Sequence, residues 1–209
     1  MSQYLIFAIG LLAQLLFSAR LFVQWIASER AKKNLSPLLF WQLSMAAAVL
    51  LCLYGWLRND FAIILGQLIA YYIYIWNLKT LNHWYKLPHI LRYTVKLLPF
   101  SAIIYFLYNW HDTFARLFKQ DNIPAALIVL GVIGQFTFTL RFIFQWQYSR
   151  KAGESALPVT FWIISLAGSA MIISYAVIRR DPVLLLGQSI GFIVYIRNIM
   201  IGYRTRLAN

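Results

Sequence analysis

The sequence predicts an all-α membrane protein whose seven transmembrane helices form two parallel three-helix repeats joined by one inverting linker helix. Three observations predict it. The chain of 209 residues is 61% hydrophobic and 12% charged, with a mean hydropathy of +0.65, which leaves too few charges to clothe a soluble globule of that size. Seven mostly apolar runs of roughly 20 residues, the length that crosses a hydrocarbon core, follow one another. The chain also repeats itself at a fixed spacing of 121 positions.

The repeat is anchored in Phe17–Ser28, FSARLFVQWIAS, and Phe138–Ser149, FTLRFIFQWQYS. The same spacing joins Pro37 to Pro158, Phe40-Trp41 to Phe161-Trp162, Ser44 to Ser165, Tyr54 to Tyr175 and Asp60 to Asp181. It continues through Gly66-Gln67 and Gly187-Gln188, Tyr74 and Tyr195, and Asn77 and Asn198. In so apolar a chain Leu-on-Ile matches carry little information. Arg, Gln, Trp, Pro, Asp and Asn agreeing in one register mark a duplicated module.

The expected spans are Tyr4–Ala27, Leu38–Leu57, Phe61–Leu81, Ile90–Trp110, Ile123–Tyr148, Val159–Ile178 and Val183–Tyr203. The opening MSQYLIF lacks the cationic region of a cleaved signal peptide, so the first run is expected to stay as a helix. Pro37 and Pro158 fit a first helical turn, where a missing N–H costs nothing. Asp60 and Asp181 fit caps in the short outer turns. Trp25, Trp41, Trp146 and Trp162 fall near span ends, where interfacial anchoring is the ordinary reading. The fourth span carries Lys96 and Pro99 and has no counterpart, so it reads as the connector. Three helices plus one make an even number of crossings, which sets the two units parallel about an axis along the membrane normal. The expected divisions are 1–86, 87–118 and 119–209.

A formal charge of +13 would point a soluble protein towards nucleic acid. Here the basic residues sit in short segments between spans, eleven on one side (Arg30, Lys32, Lys33, Lys79, Lys86, Arg92, Lys96, Arg150, Lys151, Arg204, Arg206) against five on the other (Arg58, Arg116, Lys119, Arg179, Arg180). The positive-inside rule puts the richer side in the cytoplasm and the N-terminus outside, and no nucleic-acid partner is expected. Cys52, the lone cysteine, excludes a disulfide framework within the chain.

Arg20, Arg141 and Arg197 lie inside spans, where a charge costs roughly 2.5–3.5 kcal/mol on insertion scales and marks a polar cavity or a partner. Snorkelling to the interface is the alternative, and for Arg197, nearer its helix end, the favoured one. At 100° per residue Gln14, Phe17, Gln24 and Ser28 fall with Arg20 on one broad side, as do Gln135, Phe138, Gln145 and Ser149 with Arg141. Gln67, Tyr74 and Asn77 share a side of the third span, Gln188, Tyr195 and Asn198 one of the seventh, with Ser44 and Ser165 entering from the second and sixth. Such groups also glue helices together. The six acids, Glu29, Asp60, Asp112, Asp121, Glu154 and Asp181, all lie at ends or in loops, so an anion arriving from elsewhere is expected at Arg20 and Arg141. No HExxH, paired intramembrane carboxylates, cysteine nucleophile or Gly-rich phosphate loop is present, and His83, His89 and His111 lack ligand spacing. No catalytic residue, metal or cofactor is therefore expected.

RLFVQWIASERAKKNLSPLLFW with its downstream Asp60, Gly66-Gln67, Tyr74 and Asn77, and RFIFQWQYSRKAGESALPVTFW with Asp181, Gly187-Gln188, Tyr195 and Asn198, resemble the lipid A biosynthesis N-terminal domain family. Seven helices in a three-one-three order also resemble the wider SWEET and PQ-loop superfamily, which includes the KDEL receptors. The resemblance implies a bacterial inner-membrane protein of lipid A or lipopolysaccharide assembly. It also implies a membrane lipid or lipid-linked sugar as ligand, a glycosyltransferase as partner, and no enzymatic activity in the chain itself. A neutral-sugar pore has no need of Arg20 and Arg141, and the Pro-Gln dipeptide of that superfamily is missing. The expectation is a protein that binds and translocates an anionic polyprenyl-phosphate sugar. Arg20 and Arg141 would hold the phosphate, and Gln24, Gln145, Gln67, Gln188, Tyr74, Tyr195, Asn77 and Asn198 the rest of the substrate. Pro37, Pro158, Trp41 and Trp162 would gate. The alternatives are a non-transporting partner of a glycosyltransferase and a carrier of a small sugar.

Overall fold

In hydrocarbon every backbone N–H and C=O must be satisfied within its own segment, so long apolar runs close into helices. The computed structural model describes residues 3–57, 61–108, 124–180 and 182–207, and these are helical almost throughout. In order they form α1 (Gln3–Ala31), α2 (Leu38–Leu57), α3 (Phe61–Thr80), a 3-10 turn (Trp84–Lys86), α4 (His89–Tyr108), α5 (Ala125–Ala152), α6 (Val159–Arg179) and α7 (Pro182–Leu207). Among the described residues α1, α2, α5 and α6 are long and apolar enough to cross a membrane. Tyr4, Leu5, Phe7, Leu11, Leu12 and Leu15 stand exposed along α1, an apolar surface that lipid, not water, suits. Asp60, Asp181, Arg58 and Lys119 lie outside the described residues.

The chain divides into two compact units, Met1–Phe17 with Trp41–Asn122, and Ser18–Phe40 with Ile123–Asn209. Within the first, the core is built on Trp41, Tyr71, Tyr74, Ala47, Ala48 and Trp84, all buried. The Trp41 and Tyr74 rings meet at 6.1 Å. Gly10 lets α1 approach the Tyr54 ring so closely that a Cβ would sit 2.8 Å from it. The interior proline of α4 has a local remedy. Pro99 brings no N–H to the carbonyl four residues earlier, that of Val95, and the Tyr71 hydroxyl donates to that oxygen at 2.6 Å.

Within the second unit the same devices recur at the repeat spacing. Trp162 meets Tyr195 at 6.0 Å, and a Cβ on Gly131 would lie 3.0 Å from the Tyr175 ring. Asn198 donates to the Val194 carbonyl at 2.9 Å, as Asn77 in the first unit donates to Ile73 at 2.9 Å. The duplication seen in letters is therefore a duplication of contacts. The helix ends match too. Lys32 follows α1 at φ 53° and Gly153 follows α5 at φ 72°, so both helices stop at a left-handed residue. Glycine adopts that conformation freely, whereas the lysine carries the steric cost of its Cβ, roughly 1–2 kcal/mol.

Two sequence expectations need correcting. Trp41 and Trp162 are fully buried and pack on tyrosines, so they do not anchor at the interface as Trp residues near span ends often do. Pro158 is the residue before α6, with φ −68° and ψ 162°, not part of its first turn.

Candidate functional site

The polar residues of α1 and α5 separate into two layers. In the layer near the helix ends, Gln24 Nε2 donates to Ser28 Oγ at 2.8 Å and to the Leu35 carbonyl at 3.3 Å, while the Leu35 N–H donates to Ser28 Oγ at 3.0 Å. The second copy repeats this contact for contact: Gln145 Nε2 reaches Ser149 Oγ at 2.8 Å and the Ala156 carbonyl at 3.0 Å, and the Ala156 N–H donates to Ser149 Oγ at 3.0 Å. Gln24, Ser28, Gln145 and Ser149 are all fully buried. Each Gln–Ser pair thus clamps the loop that follows its own helix, satisfying loop backbone groups that would otherwise be buried unpaired. The clamped loops also meet, with Ser36 and Ser155 hydroxyls 2.9 Å apart. Asn198 Oδ1 on α7 also lies 2.8 Å from Gln24 Nε2, whose two hydrogens are thus shared among three acceptors.

The deeper layer is cationic. One turn earlier on each helix stand Arg20, 6% exposed, and Arg141, 3% exposed. The Arg141 guanidinium carbon lies 3.4 Å from the Phe138 ring centroid, 4.7 Å from Phe142, 5.5 Å from Phe161 and 5.8 Å from Tyr195. Its Nη1 donates to Tyr195 Oη at 3.2 Å and approaches Ser165 Oγ at 3.5 Å, and that serine hydroxyl donates onward to the Phe161 carbonyl at 2.6 Å. Arg20 lies 5.4 Å from the Phe40 ring and 5.6 Å from Phe142. Both guanidiniums therefore sit against one ring, Phe142. Aromatic faces stabilise a cation by about 2 kcal/mol or more when water is excluded, which makes burial tolerable without neutralising the charge.

Arg197, the third arginine expected inside a span, has a different fate. Arg197 forms a two-pronged ion pair with Glu29, through Nε at 2.8 Å and through Nη2, and Trp25 Nε1 donates to the same carboxylate at 3.3 Å. The pair is partly exposed, so Arg197 finds a carboxylate at a helix end instead of merely snorkelling.

Of the residues expected at the site, Arg141, Ser165 and Tyr195 converge, and Arg20 joins Arg141 across Phe142. Gln24 joins Asn198 in the loop-clamping layer, and Gln145 has the equivalent clamp. Asn77 and Tyr74 are buried in the first unit, and Gln67 and Gln188 are half-buried. Gln14 and Gln135 are exposed and do not share the arginine face, because six residues at 100° turn a side chain about 120° away. Sequence reasoning places Phe138 on the Arg141 side of its helix but misses the aromatic enclosure that Phe40, Phe142 and Phe161 complete. Its signal was weak: Phe40 and Phe161, and Phe17 and Phe138, do repeat, but in a chain with 15 phenylalanines such matches carry little.

Comparison with known proteins bears on what this arrangement serves. A family model described as Lipid A Biosynthesis N-terminal domain matches residues 9–79 and again residues 130–200, the second match displaced by the spacing of the internal repeat. The chain is 30% identical over 210 residues to the Lipid-A-disaccharide synthase of Chlamydia felis, an alignment covering 96% of this chain and 34% of that protein. For the protein of the same name from Chlamydia abortus the identity is 32% over 211 residues, covering 96% and 33%, and for that of Chlamydia pneumoniae it is 29% over 208 residues, covering 96% and 34%. The chain spans about a third of the length of these curated relatives. No solved structure matches it.

These findings correct two expectations. Relatives matching nearly the whole chain are named for a synthase, an enzyme, and not for a carrier, so the translocation reading and the assignment to a non-enzyme are both overturned. The non-enzyme expectation rests on the lack of a catalytic motif in the sequence; the translocation expectation rests on the inference that buried cations in a span call for an incoming anion. That inference does not distinguish moving a ligand from presenting it to chemistry.

Proposed function

The chain belongs to the lipid A biosynthesis N-terminal domain family, and on that premise we propose that it is the membrane-embedded module of lipid A disaccharide synthesis, seating a lipid-linked sugar for glycosyl transfer. The observation that carries this reading is the match of 96% of the chain to relatives named lipid-A-disaccharide synthase. A reaction that joins sugars, one of them fixed to a lipid, needs a site where acyl chains stay in hydrocarbon while the sugar meets its partner. An all-helical membrane module with buried polar side chains suits that task.

In this reading the chain lies in the bacterial inner membrane, N-terminus in the periplasm and C-terminus in the cytoplasm. Repeats 1–86 and 119–209 are joined through 87–118 in a three-one-three order. Gln188, Tyr195 and Asn198 of the second unit face the sugar, Gln24 and Gln145 fix the loops beside it, and the Pro158 and Trp162 end admits it.

Depletion of the chain from cells that carry it tests this. Mass spectrometry of the extracted lipids is expected to show the lipid-linked disaccharide falling and lipid-linked monosaccharide accumulating. An unchanged ratio of the two would refute the reading.

A further inference from the structure

We propose that the two guanidiniums on Phe142 form an oxyanion seat, and that the oxyanion is the phosphate of a lipid headgroup. The inference rests on the functional reading only for the source of the ligand; the seat itself follows from the side chains. Arg20 and Arg141 are 6% and 3% exposed and share one ring, Phe142, at 5.6 and 4.7 Å. Two like charges buried that close repel in a medium of low dielectric constant, and an anion bridging them turns the repulsion into two attractions. The hydroxyls of Ser165 and Tyr195 that Arg141 touches are neutral acceptors, which satisfy an N–H without compensating its charge.

A second observation points the same way. Trp162 is fully buried, and its indole Nε1–H finds no acceptor among the described residues. A buried donor left unmatched costs free energy, and this one belongs to the ring packed on Tyr195 at 6.0 Å, the residue whose hydroxyl accepts from Arg141. The Arg141 N–H groups and the Tyr195 hydroxyl lie together, and the ring packed on Tyr195 carries the unmatched indole N–H. A tetrahedral oxyanion, with several acceptor oxygens set at an angle to one another, answers such a cluster better than a neutral sugar hydroxyl. Arg20 and Arg141 each stand eleven residues before the last residue of their helices, Ala31 and Ala152, about 16 Å of helix at 1.5 Å per residue.

The full chain in a neutral detergent is titrated with dodecyl phosphate, inorganic phosphate and dodecanol, with binding followed by phosphorus NMR for the phosphates and by tryptophan fluorescence for all three. Dodecyl phosphate is expected to bind saturably and dodecanol not at all. Arg141→Gln should weaken dodecyl phosphate roughly tenfold or more, the loss of a charge-assisted hydrogen bond. Arg141→Lys should fall between, because it keeps the charge and loses the fork. Trp162→Phe, which removes the indole donor and keeps a ring, should weaken binding while leaving the unliganded melting temperature near that of the parent, and it serves as the test should Arg141→Gln fail to fold. Undiminished binding in both Arg141→Lys and Trp162→Phe, or equal binding of dodecanol, overturns the seat. Inorganic phosphate binding as tightly as dodecyl phosphate overturns its assignment to a lipid. No glycosyl transfer enters the measurement: if dodecyl phosphate fails to bind while depletion still lowers the disaccharide, this inference falls and the proposed function stands.

Discussion

Gly168→Val is expected to destabilise the protein by about 3 kcal/mol, the upper range for forcing atoms into a packed core, and so to lower its melting temperature by roughly 6–12 °C at 2–4 °C per kcal/mol for a chain of this size. A Cβ at Gly168 would stand 2.7 Å from the backbone nitrogen of Phe138, 2.8 Å from its Cα and 2.9 Å from its Cβ. Backbone cannot swing aside as the tip of a flexible side chain can, so α6 and α5 must separate. The strain lands at Phe138, whose ring lies 3.4 Å below the Arg141 guanidinium. Thermal unfolding of the purified variant in detergent gives the result. An unshifted transition would show that α5 and α6 do not approach this closely.

Gln145→Leu and Gln24→Leu are expected to cost about 2 kcal/mol each, within the usual range for stranding buried hydrogen-bonding groups. Leucine nearly conserves volume, so the loss reports the amide. Removing Gln145 strips a donor from Ser149 Oγ and from the Ala156 carbonyl, and removing Gln24 does the same to Ser28 and Leu35. Gln24→Leu also takes a donor from Asn198 Oδ1, whereas after Gln145→Leu the Ala156 carbonyl keeps the Ser149 hydroxyl, so Gln24→Leu should unfold at the lower temperature of the two, and limited proteolysis should cut loops 32–37 and 153–158 faster than in the parent. A silent Gln145→Leu beside a damaging Gln24→Leu would show that the second copy does not use its clamp.

The helices are legible in the sequence as apolar runs long enough to cross a bilayer, and the duplication because it is written in residues that are rare in an apolar chain. An Arg, a Gln and a Trp kept in register inside a span are not chance. What those residues do was less legible. Gln24 and Gln145 were assigned to a ligand, since a polar group on a buried face looks the same whether it waits for a substrate or holds a loop. The partners that decide it, Leu35 and Ala156, are eleven residues further on, beyond any helical face, and contribute backbone atoms that carry no sequence signal. The Glu29–Arg197 pair was hidden for another reason. The repeat places Arg150 where the first copy has Glu29, and Trp76 where the second has Arg197, so the pair breaks the symmetry that guided the reading. The mismatch itself was the available sign, an acid and a base each departing from its duplicate. Function is misjudged because buried charge does not say whether a ligand is moved or presented for reaction.

Whether this chain serves as the membrane module of lipid A disaccharide synthesis is decided by complementation in a relative. In the Chlamydia felis synthase, the third of the protein that this chain matches is deleted, and the present chain is supplied beside the remainder in the same membranes. Formation of the lipid-linked disaccharide is then measured. The deletion is expected to abolish synthesis and the added chain to restore it, with Arg141→Gln failing to do so. A truncated synthase that works as well without any such module would contradict the account.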